Sequence, residues 1–399
     1  MVVGIPEEKE KEEGQMDDAG CWEFPTDVLV EILQRLPPSS RRRSRLVCRH
    51  WRDAVDERTT EMRSRAKVLF WNAYNSVAYV VDDLSSSSTG SCTEIWSRPD
   101  GYRRPYSGTQ PVATCNGLLC LCNNAEMPGG ALTLVNPATG EALPVPLLPC
   151  EGIFDGIDHW NWWVFEKWDQ AYTFAYHPIS GKYKVVHVPC RFDYGHYDHR
   201  EFNFSTVQVL TLGEASWREV PAGPAGAARC HRGAGIISID GTTYWTTEGS
   251  FPKVVSFDLE HERITSFTPL PVQPETPDFY HLTEVHGRLG VVIRDRSYAV
   301  ATEVWILEKG CWWSHRYSLS NRSLARPLFG HGEYVLTVHQ SLYGHYTGRA
   351  PWLPGEVVRV SHQDHKTVVA KVEIGYSKYP SGTFAYVETT EPLSAYATN

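Results

Sequence analysis

A short helical segment followed by a large all-β domain is the architecture that the sequence predicts. The chain has 399 residues, among them 26 prolines, 31 glycines, 14 tryptophans and 20 tyrosines, against only 4 methionines. Proline and glycine favour turns, and aromatic residues favour strands. Helical periodicity is confined to a stretch near the N-terminus, and strand-like runs recur after it. These observations indicate many short strands rather than a helical protein.

Composition and charge narrow the classes of function. The formal net charge of -9 argues against a dedicated nucleic-acid-binding protein, which would normally present a broad basic surface. The chain does not open with a basic-then-apolar leader, and no apolar run has the length of a membrane span. We therefore expect a protein of the cytoplasm and/or nucleus with no nucleic-acid or membrane partner. The ten cysteines lack repeated Cys-x-x-Cys pairs, which favours buried reduced thiols over disulfides.

The N-terminal 66 residues are predicted to contain a tail followed by a pair of helices. Residues 1–21 are charged and poor in aromatic side chains, which predicts a disordered acidic tail. Residues 22–66 are predicted to form two helices. Thr26 or Asp27 can cap the first of these, and Pro37-Pro38 ends it. Its apolar residues fall within an arc of roughly 140° on a helical wheel: Val28, Leu29, Ile32, Leu33 and Leu36.

The second helix is predicted to start near Ser39 or Ser40. One of its faces carries four apolar residues, Val47, Trp51, Ala54 and Val55, and a separate stripe carries four arginines, Arg41, Arg45, Arg49 and Arg52. The stripe could meet an acidic partner, or it could be a solvated face; nucleic-acid binding is disfavoured because no second basic patch supports it. Two helices of this size cannot close a core alone. Their apolar faces are therefore predicted to need a partner.

Residues 67–392 are predicted to form a β-propeller. Apolar strands separated by glycine-containing turns recur at a spacing on the order of 50 residues, which is typical of propeller blades. About six units can be counted, with residues 187–204 as an inserted loop in one of them. The last strand, Thr383–Val387, could pair with the first blade and close the ring. Residues 393–399 are predicted to be a tail.

The N-terminal helices resemble the F-box motif in the order and spacing of their residues. These residues are Phe24-Pro25-x-Asp27-x-Leu29-x-Glu31-Ile32-Leu33-x-Arg35-Leu36-Pro37 and Arg45-Leu46-Val47-Cys48-Arg49-x-Trp51-Arg52. Three downstream segments look like the plant F-box-associated domain: Cys115–Cys120, Asn136–Glu141 and Tyr176–Val186. The two resemblances together cover nearly everything after residue 22.

This resemblance implies a function without catalysis. In that family the F-box docks on a Skp-type adaptor, which ties it to a cullin scaffold, and the C-terminal domain presents a target protein for ubiquitination. The chain would thus be the substrate-recognition subunit of an SCF-type ubiquitin ligase, with no cofactor. The matching positions that would form or support the adaptor surface are Phe24, Pro25, Leu29, Ile32, Leu33, Leu36, Pro37, Val47, Cys48 and Trp51.

Two departures from the family pattern stand in this segment. Phe24 occupies a position that is usually leucine, and Ser40-Arg41-Arg42-Arg43 stands where the family often has apolar residues. The first exchange keeps an apolar side chain. Because of the second departure, the sequence does not predict the conformation of the turn between the helices.

Aromatic clusters are the candidate target-binding residues, namely Trp160, Trp162, Trp312 and Trp313. Such residues serve either in blade cores or as binding anchors, and the sequence leaves both open. The same residues motivate an alternative, a propeller that binds a carbohydrate or small molecule. A propeller enzyme carrying an F-box is a further alternative, although the chain has no Walker loop, dinucleotide fingerprint or nucleophile elbow.

Two histidine-containing segments and one hairpin could be mistaken for functional sites. His196–His199 and His362–His365 contain possible metal ligands, but polar loop residues are favoured there, and no metal is predicted. Ser238–Trp245 resembles a sialidase Asp-box with its glycine one place early. Because this pattern occurs once, we favour an ordinary hairpin at Asp240-Gly241.

Overall fold

A helix pair and a ring of β-sheets make up the part of the chain that the structure describes. The computed structural model covers residues 25–36, 40–41, 44–45, 47–58, 67–72, 76–81, 92–98, 108–124, 129–150, 167–193, 201–223, 227–272, 280–285, 287–294, 301–308, 312–320, 324–331, 334–340, 356–361, 368–373 and 380–397. No helix in these ranges is both long and apolar enough to cross a membrane.

The helix pair consists of α1 (Thr26–Arg35) and α2 (Arg49–Arg58). Pro25 is the N-cap of α1 and makes no side-chain cap bond, so the cap predicted at Thr26 or Asp27 is wrong. Ser40, Arg41 and Ser44 are also helical, but the longer second helix starts only at Arg49. The apolar faces of the two helices meet in a small core of Leu29, Val30, Leu33, Ala54 and Val55.

Twenty-six strands lie in the described ranges. They are β1 (Lys67–Asn72), β2 (Val77–Val81), β3 (Cys92–Ser97), β4 (Thr109–Cys115), β5 (Leu118–Asn123), β6 (Ala131–Val135), β7 (Ala142–Pro144), β8 (Tyr172–His177), β9 (Lys182–His187), β10 (Cys190–Asp193), β11 (Glu201–Phe204), β12 (Thr206–Thr211), β13 (Arg218–Pro221), β14 (Ile237–Ile239), β15 (Thr242–Thr246), β16 (Lys253–Asp258), β17 (Arg263–Pro269), β18 (Tyr280–Val285), β19 (Arg288–Arg294), β20 (Ala301–Leu307), β21 (Trp313–Ser320), β22 (Leu324–His331), β23 (Tyr334–Gln340), β24 (Glu356–Ser361), β25 (Val368–Glu373) and β26 (Pro380–Tyr386).

These strands form four-stranded antiparallel units, which we call blades. Blade 1 has the order β26-β1-β2-β3, blade 2 contains β4 to β7, blade 3 has the order β8-β9-β12-β13, and blade 4 contains β14 to β17. Blades 5 and 6, β18 to β21 and β22 to β25, form one eight-stranded sheet through a parallel pairing of Glu284 with Phe329. The stretch predicted as an inserted loop of blade 3 contains the hairpin β10–β11.

The innermost strands close a ring. In order around it, β26, β4, β8, β14, β18 and β22 each contact the next, and β22 contacts β26. Blade 1 combines the last strand with the first three. As predicted, β26 pairs with β1, with Phe384 opposite Leu69. The predicted fold class, a short helical segment followed by a β-propeller of about six blades, is confirmed.

The ring has two unlike ends. Each blade is an antiparallel meander, and the inner strands β18 and β22 run parallel to each other. Where the inner strands end, the chain makes short turns such as 116–117 and 240–241, and we call this the turn end. At the opposite end, the loop end, the connections are longer, as in 145–171 and 188–205. Loop length and surface position make the loop end the more variable side of such a fold.

Two of the short turns have the conformation that hairpins favour. Asn116 and Gly117 have φ values of 52° and 83°, and Asp240 and Gly241 have φ values of 46° and 81°. Positive φ at both central residues defines the type I′ turn, whose twist matches that of the flanking strands. The hairpin predicted at Asp240-Gly241 is therefore confirmed by the pairing of Ile239 with Thr242.

The largest hydrophobic core lies beneath blades 2, 3 and 4, around the fully buried Tyr183, Trp245 and Phe257. Leu393 belongs to the same core. Residues Leu393–Tyr396 form a 3-10 turn, so the stretch predicted as a tail from residue 393 begins with a packed segment. This segment is ordered by a tertiary contact: Leu393 packs into a core formed by residues that are distant in the sequence.

Candidate docking surfaces

Three large apolar side chains of the helix pair are exposed. Val28 and Ile32 on α1 are 45% and 40% exposed, and Val47, just before α2, is 61% exposed. A helix pair with so small a core gains nothing from presenting these groups to water, and exposed apolar clusters typically mark interaction sites. The predicted need for a partner thus has a structural counterpart.

The described residues predicted for the adaptor surface fall into three groups by exposure. Pro25, Ile32 and Val47 are exposed, so they can touch a partner directly. Leu29 and Leu33 are fully buried between the helices, so they support the surface from within. The remaining described members, Leu36, Cys48 and Trp51, are half-buried. Phe24 and Pro37 lie outside the described residues.

Sequence reasoning placed Val28 on the apolar arc but left it out of the surface. Its neighbour Leu29 points into the helix pair, whereas Val28 lies one helical step away and is exposed. Helical periodicity defines the arc, but it does not say which edge of a broad arc the second helix will cover. Only the packing of α2 against α1 decides this.

Two polar contacts of arginine side chains involve the ends of α1. Arg58 at the end of α2 forms an ion pair of 2.7 Å with Asp27 in the first turn of α1. Arg41 is buried and donates a hydrogen bond of 3.2 Å to the carbonyl oxygen of Leu36, at the end of α1, where helix carbonyls lack partners. The solvated-face interpretation of the arginine stripe is therefore wrong at Arg41, although Arg52 is exposed.

The predicted target-binding tryptophans have different environments. Trp312 is 57% exposed and free to meet a partner. Trp313 is half-buried, and its indole N–H donates a hydrogen bond of 2.7 Å to the carbonyl oxygen of Pro269, which ties blade 5 to the end of blade 4. Trp160 and Trp162 lie outside the described residues. Of the two that the structure describes, Trp312 is the more exposed, and its place between β20 and β21 puts it at the turn end. Its role as a target contact stays a prediction.

The loop end contains an aromatic base formed by Trp168, Phe192 and Phe204. The ring of Trp168 lies against that of Phe192 in the β10–β11 hairpin, tilted by 42° with 4.0 Å between the ring centroids, and Phe204 meets Trp168 edge-on at 6.3 Å. The guanidinium of Arg232 lies 4.0 Å from the centroid of Phe192. The connections 151–166 and 194–200 both depart from this base. Long surface connections are where binding residues of such folds are often found.

Burial holds four cysteines and one histidine of the propeller in their neutral forms. Burial raises the pKa of the Cys120, Cys122 and Cys230 thiols, and it raises the pKa of Cys150 to about 11. Burial lowers the pKa of His187 to about 3. At neutral pH these groups supply neither thiolate nor imidazolium, so none is poised as a nucleophile or an acid.

A metal site does not form among the described residues, where no three histidine, cysteine or acidic side chains come together. The segments His196–His199 and His362–His365 lie outside those residues. The expectation of no metal therefore stays a prediction for both.

A small helical docking module joined to a closed propeller is the class of protein that the fold and its surfaces define. Comparison with known proteins gives this class its family. A model described as F-box associated beta propeller domain matches residues 81–337, and a model of the F-box domain matches residues 22–60. The chain belongs to the family of F-box proteins with an F-box associated β-propeller domain, as its motifs predicted.

Two relatives from Arabidopsis thaliana match most of the length of the chain. One F-box protein is 26% identical over 316 residues, which cover 71% of this chain and 70% of that protein. Another F-box protein is 23% identical over 327 residues, which cover 77% of this chain and 76% of that protein. The similarity therefore extends well beyond the F-box itself.

Proposed function

We propose that the chain is the substrate-recognition subunit of an SCF-type ubiquitin ligase and has no catalytic chemistry of its own. The observation that carries this proposal is the exposure of Val28, Ile32 and Val47 on a helix pair that matches the F-box domain. A Skp-type adaptor would cover these side chains and link the chain to a cullin scaffold. Completing their burial stabilises the complex by about 1 kcal/mol for each side chain.

In this proposal the turn end of the propeller carries the F-box, and the loop end binds the target protein. Lys67, the first residue after the F-box segment, pairs with Tyr386 at the carboxyl end of the inner strand β26, so the F-box is tethered at the turn end. The loop end, where the longest connections join the described strands, would hold the target protein. Trp312, between β20 and β21, lies at the turn end and is not part of this surface. The ligase would then act by proximity, because binding both partners raises the effective concentration of the target near the ubiquitin carrier.

Adaptor binding is tested by inserting a charge on the exposed face of α1. We expect Ile32→Asp to weaken binding of a purified Skp-type adaptor by about 100-fold, because the complex would bury an unpaired carboxylate. Ile32 is preferred over Leu33, since Leu33 is part of the core between the helices and its replacement would unfold them. Binding is measured by titration calorimetry with the full chain.

The matched control is Ile179→Asp, the same exchange at an exposed isoleucine of a propeller turn. Its affinity for the adaptor should equal that of the unmodified chain. Equal binding by all three proteins would contradict the proposed surface. Failure of the unmodified chain to bind would remove the proposed function.

A further inference from the structure

The C-terminal segment 387–397, which we call the strap, lies in a groove at the turn end of blades 2 and 3. It leaves the ring after β26 and crosses the Asn116-Gly117 turn, where the carbonyl oxygen of Val387 lies against Gly117. Leu393 inserts into the main core, and the ring of Tyr396 meets that of Tyr183 edge-on at 5.6 Å between centroids. Thr389 and Glu391 are buried along the way.

Side chains of the groove form hydrogen bonds with the backbone of the strap. The side-chain amide of Asn136 donates a hydrogen bond of 2.8 Å to the carbonyl oxygen of Glu391. Two residues further on, the N–H of Leu393 donates a hydrogen bond of 3.0 Å to the carboxylate of Glu141. A side-chain donor and a side-chain acceptor spaced along an extended backbone, beside an apolar site, are the elements of peptide recognition.

Contacts within the propeller also hold each of the groups that meet the strap. The Asn136 side-chain oxygen accepts hydrogen bonds from the backbone N–H groups of Ala138 and Thr139, at 3.0 and 3.4 Å. The hydroxyl of Thr139 donates to the Glu141 carboxylate at 3.2 Å. Likewise, the side-chain amide of Asn116 donates to the hydroxyl of Tyr183 at 3.3 Å. The groove is therefore preorganised by the propeller, which lowers the entropy lost when a peptide binds.

We propose that this groove is a peptide-binding site which the strap occupies as a tethered ligand. The ligand in trans would be an extended segment of a partner protein with a leucine followed three residues later by a tyrosine, as in Leu393 and Tyr396. Such a segment displaces the strap, whose covalent tether makes it a strong competitor with an effective concentration on the order of millimolar. This inference goes beyond the proposed function, since it involves neither the adaptor nor the loop end.

Peptide binding to full-length chains tests the proposal. The probe is a fluorescein-labelled peptide with the sequence of residues 386–399, followed by fluorescence anisotropy. The double variant Leu393→Ala, Tyr396→Ala should bind the peptide at least tenfold more tightly than the unmodified chain, because its own strap competes less well. Adding Asn136→Ala to this variant should abolish the gain. A folded double variant that binds the peptide no better than the unmodified chain overturns the proposal.

Hydrogen exchange on the unmodified full chain decides the question even if the double variant does not fold. A tethered ligand detaches without unfolding the ring, so the amides of Leu393 and Ala397 should exchange at least tenfold faster than those of Leu119 and Leu121 in β5. Excess unlabelled peptide should accelerate their exchange further by capturing the open groove. Exchange of the strap amides only together with β5 would show that the strap is a permanent part of the fold.

Discussion

At the scale of single residues, the strap explains why glycine stands at position 117, in the turn between β4 and β5. Asn116 and Gly117 make a type I′ turn, but this alone would tolerate several residues at moderate loss of stability. The strap crosses so closely that a Cβ at Gly117 would overlap the carbonyl oxygen of Val387 and lie 2.6 Å from the Thr389 side chain. Glycine is thus required by both backbone conformation and space.

A pair of glycine substitutions separates these two requirements. Gly117 and Gly140 have similar φ values of 83° and 74°, but a Cβ at Gly140 would meet no atom within 4 Å. We expect Gly140→Ala to lower the free energy of unfolding by about 1 kcal/mol through backbone strain alone. Gly117→Ala should lower it by about 3 kcal/mol or more, because the strap must also move. Urea unfolding of both variants measures the difference, and equal losses would contradict a close crossing.

At the scale of elements, neighbouring blades are joined by ion pairs as well as by their cores. Glu262, in the turn between β16 and β17 of blade 4, accepts hydrogen bonds from Lys184 of β9 at 2.7 Å and from Arg218 of β13 at 2.5 Å. Lys184 is buried and also donates to the carbonyl oxygen of Leu259. The turn of one blade thereby holds two strands of the blade before it.

This network predicts a pH dependence. Burial tends to raise the pKa of Glu262, but hydrogen bonds from Arg218 and Lys184 outweigh it, so the pKa lies below the usual 4.5. A lowered pKa means that the carboxylate stabilises the fold above about pH 4.5 and that this stability is lost as the pH falls through the folded-state pKa. Glu262→Gln should therefore lower the free energy of unfolding by about 2 kcal/mol at pH 7, with a difference that shrinks below pH 4.5.

Unfolding by urea at several pH values measures this effect. The control is Glu260→Gln, which removes an exposed carboxylate from the same turn and should leave stability unchanged at every pH. A Glu262→Gln difference that stayed constant down to pH 3 would rule out the carboxylate as its source.

Elements were easier to predict from the sequence than the contacts between them. The helix α1, the hairpin at Asp240-Gly241 and the closing strand β26 follow from local periodicity, turn chemistry and repeat spacing. The roles of Gly117, Asn136 and Arg41 do not, since each is defined by a segment that is distant in sequence or by the end of another helix. The same holds for the adaptor surface, where the split between Ile32 and Leu33 depends on how α2 packs.

At the scale of the whole molecule, the ring is closed by one strand. All of β1 pairs with β26, and the strap continues from β26 across blade 2. A chain that ends at residue 379 keeps every other blade complete but leaves blade 1 without its inner strand. The contacts of β26 with β4 and β22 are lost with it.

Closure therefore predicts a cooperative loss of stability. We expect the chain ending at residue 379 to melt at least 10 °C lower than the full chain, with a broadened transition, because a destabilisation of a few kcal/mol acts on the whole ring. A chain ending at Ala397, which retains β26 and the strap, should melt like the full chain. Calorimetry measures both, and a sharp, unshifted transition for the shorter chain would show that the ring does not depend on β26.

Pairing of β1 with β26, as in Lys67 with Tyr386, also means that β1 must wait for its partner during synthesis. The ribosome makes β1 long before β26, and at about 5–20 residues per second the interval is roughly 15 to 60 seconds. During that time one edge of β1, a strand whose described side chains are almost all buried in the finished protein, has no native partner. Nascent chains of this family should therefore be clients of chaperones that bind unpaired apolar strands, and they should be released only after the last strand emerges.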